Sequence, residues 1–293
     1  MKNAVDHWIA NAAARLGSHC TAAAVVGEGM TSRVLRLSLA DGRTVIAKRP
    51  KFAPLPGLYA SEAVGLEALR GIPGLTVPAV LHHDHAGIVL SDLGPNAADP
   101  VDAEHPYWER FGRSVAHLHG RLFGRFGWPH PTFWGVLPLA QTPQDDGYAF
   151  YREQRFLWFL NQPPVLAGLP SDLWRRIRQL AEDLERLVPP QPPCLNHGDL
   201  WYGNRLRGPK GEPALIDPHV HAGWAEADLS HAWIYGGFPP RFWDAYRESH
   251  PLEPGWPDRL MLLGLIHHLA VVREIGPDVD TLREIATTMK RFG

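Results

Sequence analysis

The sequence predicts an α+β fold of two lobes: a small N-terminal lobe with an antiparallel sheet and one key helix, and a larger, mostly helical C-terminal lobe. Residues 22–26, 35–39 and 44–48 are short apolar or alternating runs separated by glycine-containing turns, which is typical of neighbouring strands. Further along the chain, apolar residues recur at helical spacing instead. We therefore expect an N-terminal lobe over residues 1–93 and a C-terminal lobe over residues 94–293.

The most specific motif is His-Gly-Asp-Leu-Trp-Tyr-Gly-Asn, which begins at His197 in a loop-like segment. It contains Asp199 and, five residues later, Asn204, and a second acid, Asp217, follows a short apolar run with strand character. Phosphoryl transfer requires a carboxylate beside the attacking hydroxyl and oxygen ligands for Mg²⁺, and protein kinases supply these from an Asp, an Asn and a later Asp. A polar turn around a buried histidine would explain none of this spacing. The motif therefore predicts a kinase with a bilobal, protein-kinase-like fold.

The helix expected in the N-terminal lobe covers residues 58–70, where Leu58, Glu62 and Leu66 fall on one apolar stripe. An unpaired charge on such a stripe is costly, so Glu62 needs a cationic partner. Lys48 ends a predicted strand, and only five of the 29 basic residues are lysines. A compact ammonium at this position suits both Glu62 and a phosphate oxygen, whereas a solubilising charge on an edge strand is the alternative.

Two further segments fit a nucleotide site. Gly27 and Gly29 lie between the first two predicted strands, where a backbone without Cβ atoms can approach a phosphate, although a plain hairpin turn is the alternative. Ser91, Asp92 and Leu93 follow a buried apolar run and break its pattern, so we place the connection between the lobes there. In a kinase, the backbone of such a hinge contacts the adenine edge.

Composition excludes several other classes of protein. The hydrophobic fraction of 45% and the charged fraction of 20% are ordinary for a globular protein. A net charge of −2 does not indicate binding to nucleic acid or to an anionic membrane. Cys20 and Cys194 are too few for a disulfide framework. The N-terminus lacks an apolar signal core, and the apolar stretch 260–272 is too short to span a membrane. We expect a cytoplasmic protein, with a monomer favoured.

The sixteen histidines raise the question of a metal site. His82, His83 and His85 are expected in a polar loop, and no histidine matches a zinc-binding spacing. His219 and His221 alternate on a strand-like segment just after the second acid of the motif, so both could face one site. We favour a role in lining a substrate pocket over a role in binding a metal.

The chain resembles the fructosamine/ketosamine kinases, within the aminoglycoside-phosphotransferase-like branch of the protein-kinase fold. The resemblance covers most of the chain and is most specific at residues 197–204, where Leu-Trp after the Asp distinguishes this family from other phosphotransferases. It also includes residues 62–69, the dipeptide Asp-Pro at 217–218 and residues 226–229 and 235–238.

The resemblance implies an ATP- and Mg²⁺-dependent kinase that phosphorylates a sugar hydroxyl of a ketoamine carried by a small amine or a protein lysine. It implies that this phosphate is unstable and releases the amine, so the activity repairs glycation. By the same resemblance Asp199 is the catalytic base. Asn204 and Asp217 are the Mg²⁺ ligands, and Lys48 with Glu62 positions the ATP phosphates.

The resemblance also assigns supporting roles. His197 and Asp228 support the catalytic loop, and Trp201 and Trp224 are aromatic positions against which a sugar or an amine could pack. Tyr202 departs from the family pattern, which commonly has a small residue at that position.

Further departures leave the acceptor open. His219 and His221 stand where the family usually has Ala and Tyr, and Glu28 and Met30 alter the glycine-containing turn. A kinase that acts on an aminoglycoside or on an amino alcohol is therefore the second hypothesis, and carboxylates at positions such as Asp145 would favour it. A nucleotide-binding pseudokinase is a third hypothesis, and a metal-dependent hydrolase that uses the two histidines is a fourth.

Overall fold

The N-terminal part of the chain consists mainly of β-strands, and the part after residue 101 consists mainly of α-helices. The computed structural model describes residues 2–95, 97 and 101–292. The strands are β1 Cys20–Glu28, β2 Ser32–Leu39, β3 Thr44–Pro50, β4 Val80–Asp84, β5 Gly87–Ser91, β6 Phe133–Trp134, β7 Leu137–Pro138, β8 Cys194–Asn196, β9 Arg205–Arg207, β10 Pro213–Leu215 and β11 His221–Gly223. The α-helices are α1 Lys2–Arg15, α2 Leu58–Leu69, α3 Tyr107–His119, α4 Gly147–Tyr151, α5 Leu157–Leu160, α6 Pro163–Gly168, α7 Ser171–Glu182, α8 Leu184–Leu187, α9 Ala225–Ile234, α10 Pro240–Ser249, α11 Trp256–Ile275 and α12 Val279–Phe292. A π-helical turn, Arg152–Phe156, joins α4 to α5, and a 3-10 turn, Tyr202–Asn204, precedes β9.

The first five strands form one antiparallel sheet in the order β1-β2-β3-β5-β4. Along β2, buried residues alternate with more exposed ones, as expected for a strand with one face on a core. Leu35, Leu37 and Leu39 are buried on that face in a cluster with Trp8 and Ile9 of α1. The three predicted strands of the N-terminal lobe are therefore confirmed.

One strand of this sheet corrects an expectation. His82 and His83 were expected in a polar loop, but they lie on β4, and only His85 lies in the turn that follows. Since β4 is an edge strand with one partner, β5, its side chains are exposed or partly buried, so polar residues are accommodated there. The indole Nε1 of Trp8 donates a hydrogen bond to Asp84 at 3.0 Å and joins α1 to this edge.

Helix α2 packs across the sheet and positions the acid that the sequence placed on an apolar stripe. Tyr59, Ala63 and Leu66 are buried in one cluster with Ile88 and Leu90 of β5. Glu62 lies on the same side of the helix as these residues, so the packing of α2 directs its side chain toward Lys48 of β3.

The C-terminal part is mostly helical. Helix α3 packs on α10 and α9 packs on α11, and their buried side chains belong to two large hydrophobic clusters. Two short ladders, β8–β11 and β9–β10, flank the segment 197–204 and hold it in place. An N-terminal antiparallel sheet followed by a mainly helical part confirms the predicted α+β class, while the division between residues 93 and 94 stays a prediction.

Close packing of α3 on α10 generates a test of the fold. A Cβ atom on Gly112 of α3 would lie 2.3 Å from the carbonyl oxygen of Phe242, which is backbone and cannot rotate away. We expect Gly112→Ala to lower the free energy of unfolding by about 1–3 kcal/mol through overpacking. Urea denaturation measures this change. Gly124→Ala is the control, because nothing lies within 4 Å of its added Cβ, and equal stability of the two variants would contradict the packing argument.

Candidate active site

A cleft of about 510 Å³ lies where the sheet meets the helical part. Its lining comes from distant parts of the sequence: the β1–β2 turn, β3, α2, the catalytic-loop segment and the segment after β10. Among the residues that the sequence singled out, those that line it are Gly29, Lys48, Glu62, Asp199, Trp201, Asn204, Asp217 and His219. The fold therefore brings most of the predicted nucleotide, metal and catalytic residues to one cavity.

Lys48 forms a buried ion pair with Glu62. The Lys48 Nζ lies 2.6 Å from Glu62 Oε1, and the Lys48 side chain is only 7% exposed. The partner that the apolar stripe of α2 required is thus present and is the one predicted. Lys48 also contacts the carboxylate of Asp217, so one ammonium joins β3, α2 and the segment after β10.

Asp217 has a backbone conformation that is uncommon for a residue other than glycine. Its φ is +56°, in the left-handed region. Such strain persists only when the surroundings impose it, and it concentrates at functional sites. Here the backbone before it is tied down, because Ile216 N donates to Asn204 O at 3.1 Å. The strained turn directs the carboxylate into the cleft.

Asp199 and Asn204 are joined within the catalytic loop. The Asn204 Nδ2 donates to the backbone oxygen of Asp199 at 2.9 Å and to its Oδ2 at 2.7 Å. Burial, together with the negative charge of Asp228, raises the pKa of Asp199 to about 7, although hydrogen bonds from Asn204 and Trp201 oppose the increase. A carboxylate with a pKa near neutrality is suited to accept a proton from an alcohol.

Asp228 of α9 holds the catalytic loop from behind. It is buried, and its two oxygens accept hydrogen bonds from the backbone N–H groups of His197 at 2.7 Å and Gly198 at 2.8 Å. Burial alone would raise the pKa of Asp228, but the hydrogen bond and charge of His119, which lies 3.1 Å away, keep it below its usual range. The carboxylate therefore remains ionised while it fixes the loop.

The conformation of the loop requires glycine at position 198. Gly198 has a φ of +85°, and a Cβ atom there would lie 2.2 Å from the carbonyl oxygen of His219. The ring of His197 is buried, which lowers its pKa, and its Nε2 lies 3.0 Å from Ile216 O. His197 thus connects the loop to the segment leading to Asp217.

The hinge residues lie apart from this cleft. Asp92 and Leu93 line a separate depression of about 460 Å³. The Asp92 carboxylate is paired with Arg36 at 2.7 Å, and the Ser91 hydroxyl accepts a hydrogen bond from Ala79 N at 2.8 Å. Their side chains have structural partners, so a contact with adenine through their backbone stays a prediction. Gly27, too, is absent from the cleft lining, unlike its neighbour Gly29.

Two expectations about the acceptor pocket are wrong. Trp224 is 1% exposed and stacks on Tyr151 with ring centroids 4.1 Å apart, so it belongs to the hydrophobic core and cannot pack against a sugar. His221 is buried and lines a small inner cavity of about 30 Å³, which His219 lines as well, but only His219 also reaches the cleft. Both residues lie at or next to β11, whose pairing with β8 directs their side chains inward. Tyr202 is half-exposed next to Trp201.

Sequence reasoning missed several residues of the site. Trp134 and Tyr235 line the cleft, His119 pairs with Asp228, and His231 lies behind Asp199. The buried acid at position 228 signalled the need for a partner such as His119. His231 follows that acid by three residues on α9 and therefore shares its face of the helix, which was the available signal. No periodicity pointed to Trp134, which lies on the two-residue strand β6.

A fold with an N-terminal antiparallel sheet, a helical C-terminal part and this cleft between them defines a protein-kinase-like phosphotransferase. The sequence model of the fructosamine kinase family matches residues 1–290. The chain therefore belongs to the fructosamine kinase family and is an ATP-dependent kinase.

Individual proteins agree with this assignment. A "probable ketoamine kinase" of Thermus thermophilus is 35% identical over 76% of this chain and 77% of its own length. The chloroplastic protein-ribulosamine 3-kinase of Arabidopsis thaliana is 29% identical over 73% of this chain and 66% of its own. A crystal structure from Thermobifida fusca, provisionally named a fructosamine-3-kinase, superposes with a TM-score of 0.86 at 33% identity, covering 97% of this chain and 98% of that one.

A more distant structure shares the fold alone. A macrolide 2'-phosphotransferase from Brachybacterium faecium superposes with a TM-score of 0.63 at 16% identity, covering 97% of both chains. Across the described ranges, no helix has the length and apolar character that crossing a membrane requires.

The two hydrogen bonds that Asp228 accepts from the catalytic loop lead to a prediction. In Asp228→Asn one acceptor oxygen becomes an NH2 group that faces a backbone N–H donor. We expect the free energy of unfolding to fall by about 1–3 kcal/mol, because a buried donor loses its partner, and turnover to fall with it. Chemical denaturation and kinase assays measure both. Asp244→Asn, at an exposed position on α10, is the control. Unchanged stability and turnover in Asp228→Asn would contradict the role of Asp228 in holding the loop.

Proposed function

We propose that this kinase phosphorylates a sugar hydroxyl of a ketoamine, with Asp199 as the catalytic base. The observation that carries the proposal is the shared cleft, in which the Asp199–Asn204 pair faces the Lys48–Glu62 ion pair. Membership of the fructosamine kinase family and the names of the relatives support the ketoamine as acceptor.

In the proposed reaction, the Asp199 carboxylate accepts the proton of the acceptor hydroxyl. The hydroxyl oxygen forms a bond to the γ-phosphorus of ATP as the bond from that phosphorus to the β,γ-bridging oxygen breaks, and ADP leaves. Lys48 offsets negative charge on the phosphates, and Glu62 holds the ammonium in place. We propose that the phosphorylated ketoamine then releases its amine, which would remove the sugar from a glycated amine or lysine.

The residues present suit Mg²⁺. Asn204 and Asp217 offer an amide oxygen and a carboxylate in the same cleft, and Mg²⁺ prefers such oxygen ligands together with substrate phosphates over all-protein cages. When bound, the ion would neutralise charge on the β- and γ-phosphates. No group of three or more His, Cys, Asp and Glu side chains that could hold a metal occurs within the described residues, which disfavours the hydrolase hypothesis built on His219 and His221.

The distribution of acids disfavours a polycationic aminoglycoside. Asp145 is exposed and paired with Arg125, Asp146 caps α4 by accepting from Tyr148 N, and Glu153 pairs with a neighbouring arginine. None of these three acids lines the cleft. Four acids line it: Glu62 and Asp217 contact Lys48, Glu28 pairs with Arg33, and only Asp199 has no lysine or arginine partner among the described residues.

The catalytic base is tested by Asp199→Asn. Asparagine keeps the size of the side chain but cannot accept the proton, so we expect kcat to fall at least about 100-fold while ATP affinity stays within about threefold. Steady-state kinetics and nucleotide titration measure the two quantities. Asp145→Asn, at an exposed site, serves as the control. Retention of more than a few per cent of turnover would contradict the assignment of Asp199.

The acceptor is tested by ATP consumption with Mg²⁺ across a panel of substrates. We expect turnover with fructosyl- and ribulosyl-lysine and none with aminoglycosides or simple amino alcohols, because the cleft lacks a cluster of free carboxylates. Turnover with aminoglycosides alone would reassign the acceptor but retain the kinase. Absence of turnover across the panel, with ATP binding intact, would favour the pseudokinase hypothesis.

A further inference from the structure

His231 is a buried histidine whose position directly behind the proposed base has no structural explanation. Its side chain is 1% exposed, and neither ring nitrogen has a hydrogen-bond partner among the described residues. A buried polar group without a partner costs free energy, so such a group in a folded protein needs an explanation. The nearest carboxylate is Asp199, whose Oδ1 lies 3.7 Å from His231 Nε2.

The two oxygens of Asp199 have different surroundings. Oδ2 accepts a hydrogen bond from Asn204 at 2.7 Å, on the side of the catalytic loop. Oδ1 faces His231 of α9, at a distance slightly beyond a hydrogen bond. Catalytic hydrogen bonds are often long before substrates bind and shorten in the reactive complex. A shift of less than about 1 Å would therefore add His231 to Asn204 and Trp201 as a donor to the carboxylate.

Neighbouring rings fix the orientation of the His231 imidazole. The ring centroid of Trp134 lies 5.1 Å from that of His231, Tyr235 stacks on the imidazole with centroids 6.0 Å apart, and His267 also packs against it. His267 is itself held, because its Nε2 lies 2.9 Å from the Ser230 hydroxyl. These rings pack against the imidazole, and its Nε2 is the atom that lies near Asp199.

The charge state of His231 is consistent with donation of one hydrogen bond. Burial lowers its pKa well below the usual value, and His267 and the other buried histidines lower it further. A neutral imidazole has one N–H donor and one acceptor nitrogen. Beside a carboxylate, the tautomer with the proton on Nε2 is favoured, because it places a donor rather than a lone pair against the negative charge.

We propose that His231 is a positioning residue for Asp199. Its Nε2–H donates to Oδ1 in the reactive complex, while Asn204 donates to Oδ2. Donors on both oxygens fix the plane of the carboxylate and leave its remaining lone pairs directed at the acceptor hydroxyl. This inference rests on the proposed function, because it requires Asp199 to be the base.

The competing explanation is that His231 only fills space between aromatic rings. Gln and Met separate the two explanations, because their side chains have similar length and flexibility but only Gln carries an N–H donor. We expect His231→Met to lower kcat by about 10- to 100-fold, the range for a misplaced catalytic group, with KM for ATP and for the ketoamine within about twofold. We expect His231→Gln to recover most of the lost kcat.

The matched control is His268→Met. This histidine of α11 is also buried, but its Nε2 lies 3.5 Å from Glu284 and it is not one of the rings that pack on His231. It should lower the melting temperature while leaving kcat within about threefold. If His231→Met does not fold, His231→Phe, which retains a ring against Trp134, takes its place.

Three outcomes would overturn the inference: an unchanged kcat in the apolar variant, equal kcat in the Gln and apolar variants, or an equal loss in His268→Met. Asp199→Asn measured alongside separates this failure from a failure of the proposed function. An active Asp199→Asn enzyme would refute the assignment of the base itself. An inactive Asp199→Asn enzyme together with a fully active apolar His231 variant would refute only the positioning role.

Discussion

The ammonium of Lys48 is the point on which the geometry of the cleft depends. It lies on β3, pairs with Glu62 of α2 and contacts Asp217 in the C-terminal part, so it connects three segments that are distant in sequence. A buried ion pair contributes little net stability, but loss of one partner leaves a buried charge at a cost of about 3–5 kcal/mol. The arrangement therefore specifies one relative placement of sheet, helix and catalytic segments. On the proposed function, the same ammonium would then be available to the phosphate oxygens of a nucleotide.

A second carboxylate, Asp228, provides the corresponding constraint on the catalytic loop. It binds two successive backbone N–H groups and is itself held by His119, so three segments converge on one buried acid. Because Gly198 must adopt a left-handed conformation for these bonds to form, the loop has little freedom to move. These contacts fix the positions of Asp199 and Asn204, which lie on the same loop. Because the loop is preorganised, its groups do not have to rearrange in order to stabilise the transition state.

Much of the fold and of the site followed from local patterns. Alternation of apolar residues predicted β1, β2 and β3, helical spacing predicted α2, and the apolar stripe on α2 predicted that Glu62 needs a cation. The spacing of Asp199 and Asn204 predicted a kinase, because residue type and order carry that chemistry. The edge strand β4 was missed, since its histidines have no apolar alternation. The acceptor side was also predicted poorly: Trp224 and His221 turn inward, because pairing of β11 with β8 decides their direction.

The sequence by itself determined the class of protein, the residues proposed to handle phosphate and the ion pair between Lys48 and Glu62. Each of these depends on residue type at short spacing or on a single buried charge that must be compensated. Only the tertiary structure decided that Asp217 reaches Lys48, that Trp134 lines the cleft and that His231 lies behind Asp199. These contacts join positions far apart in the chain. No periodicity encodes them, because they arise from how the helices and short ladders pack.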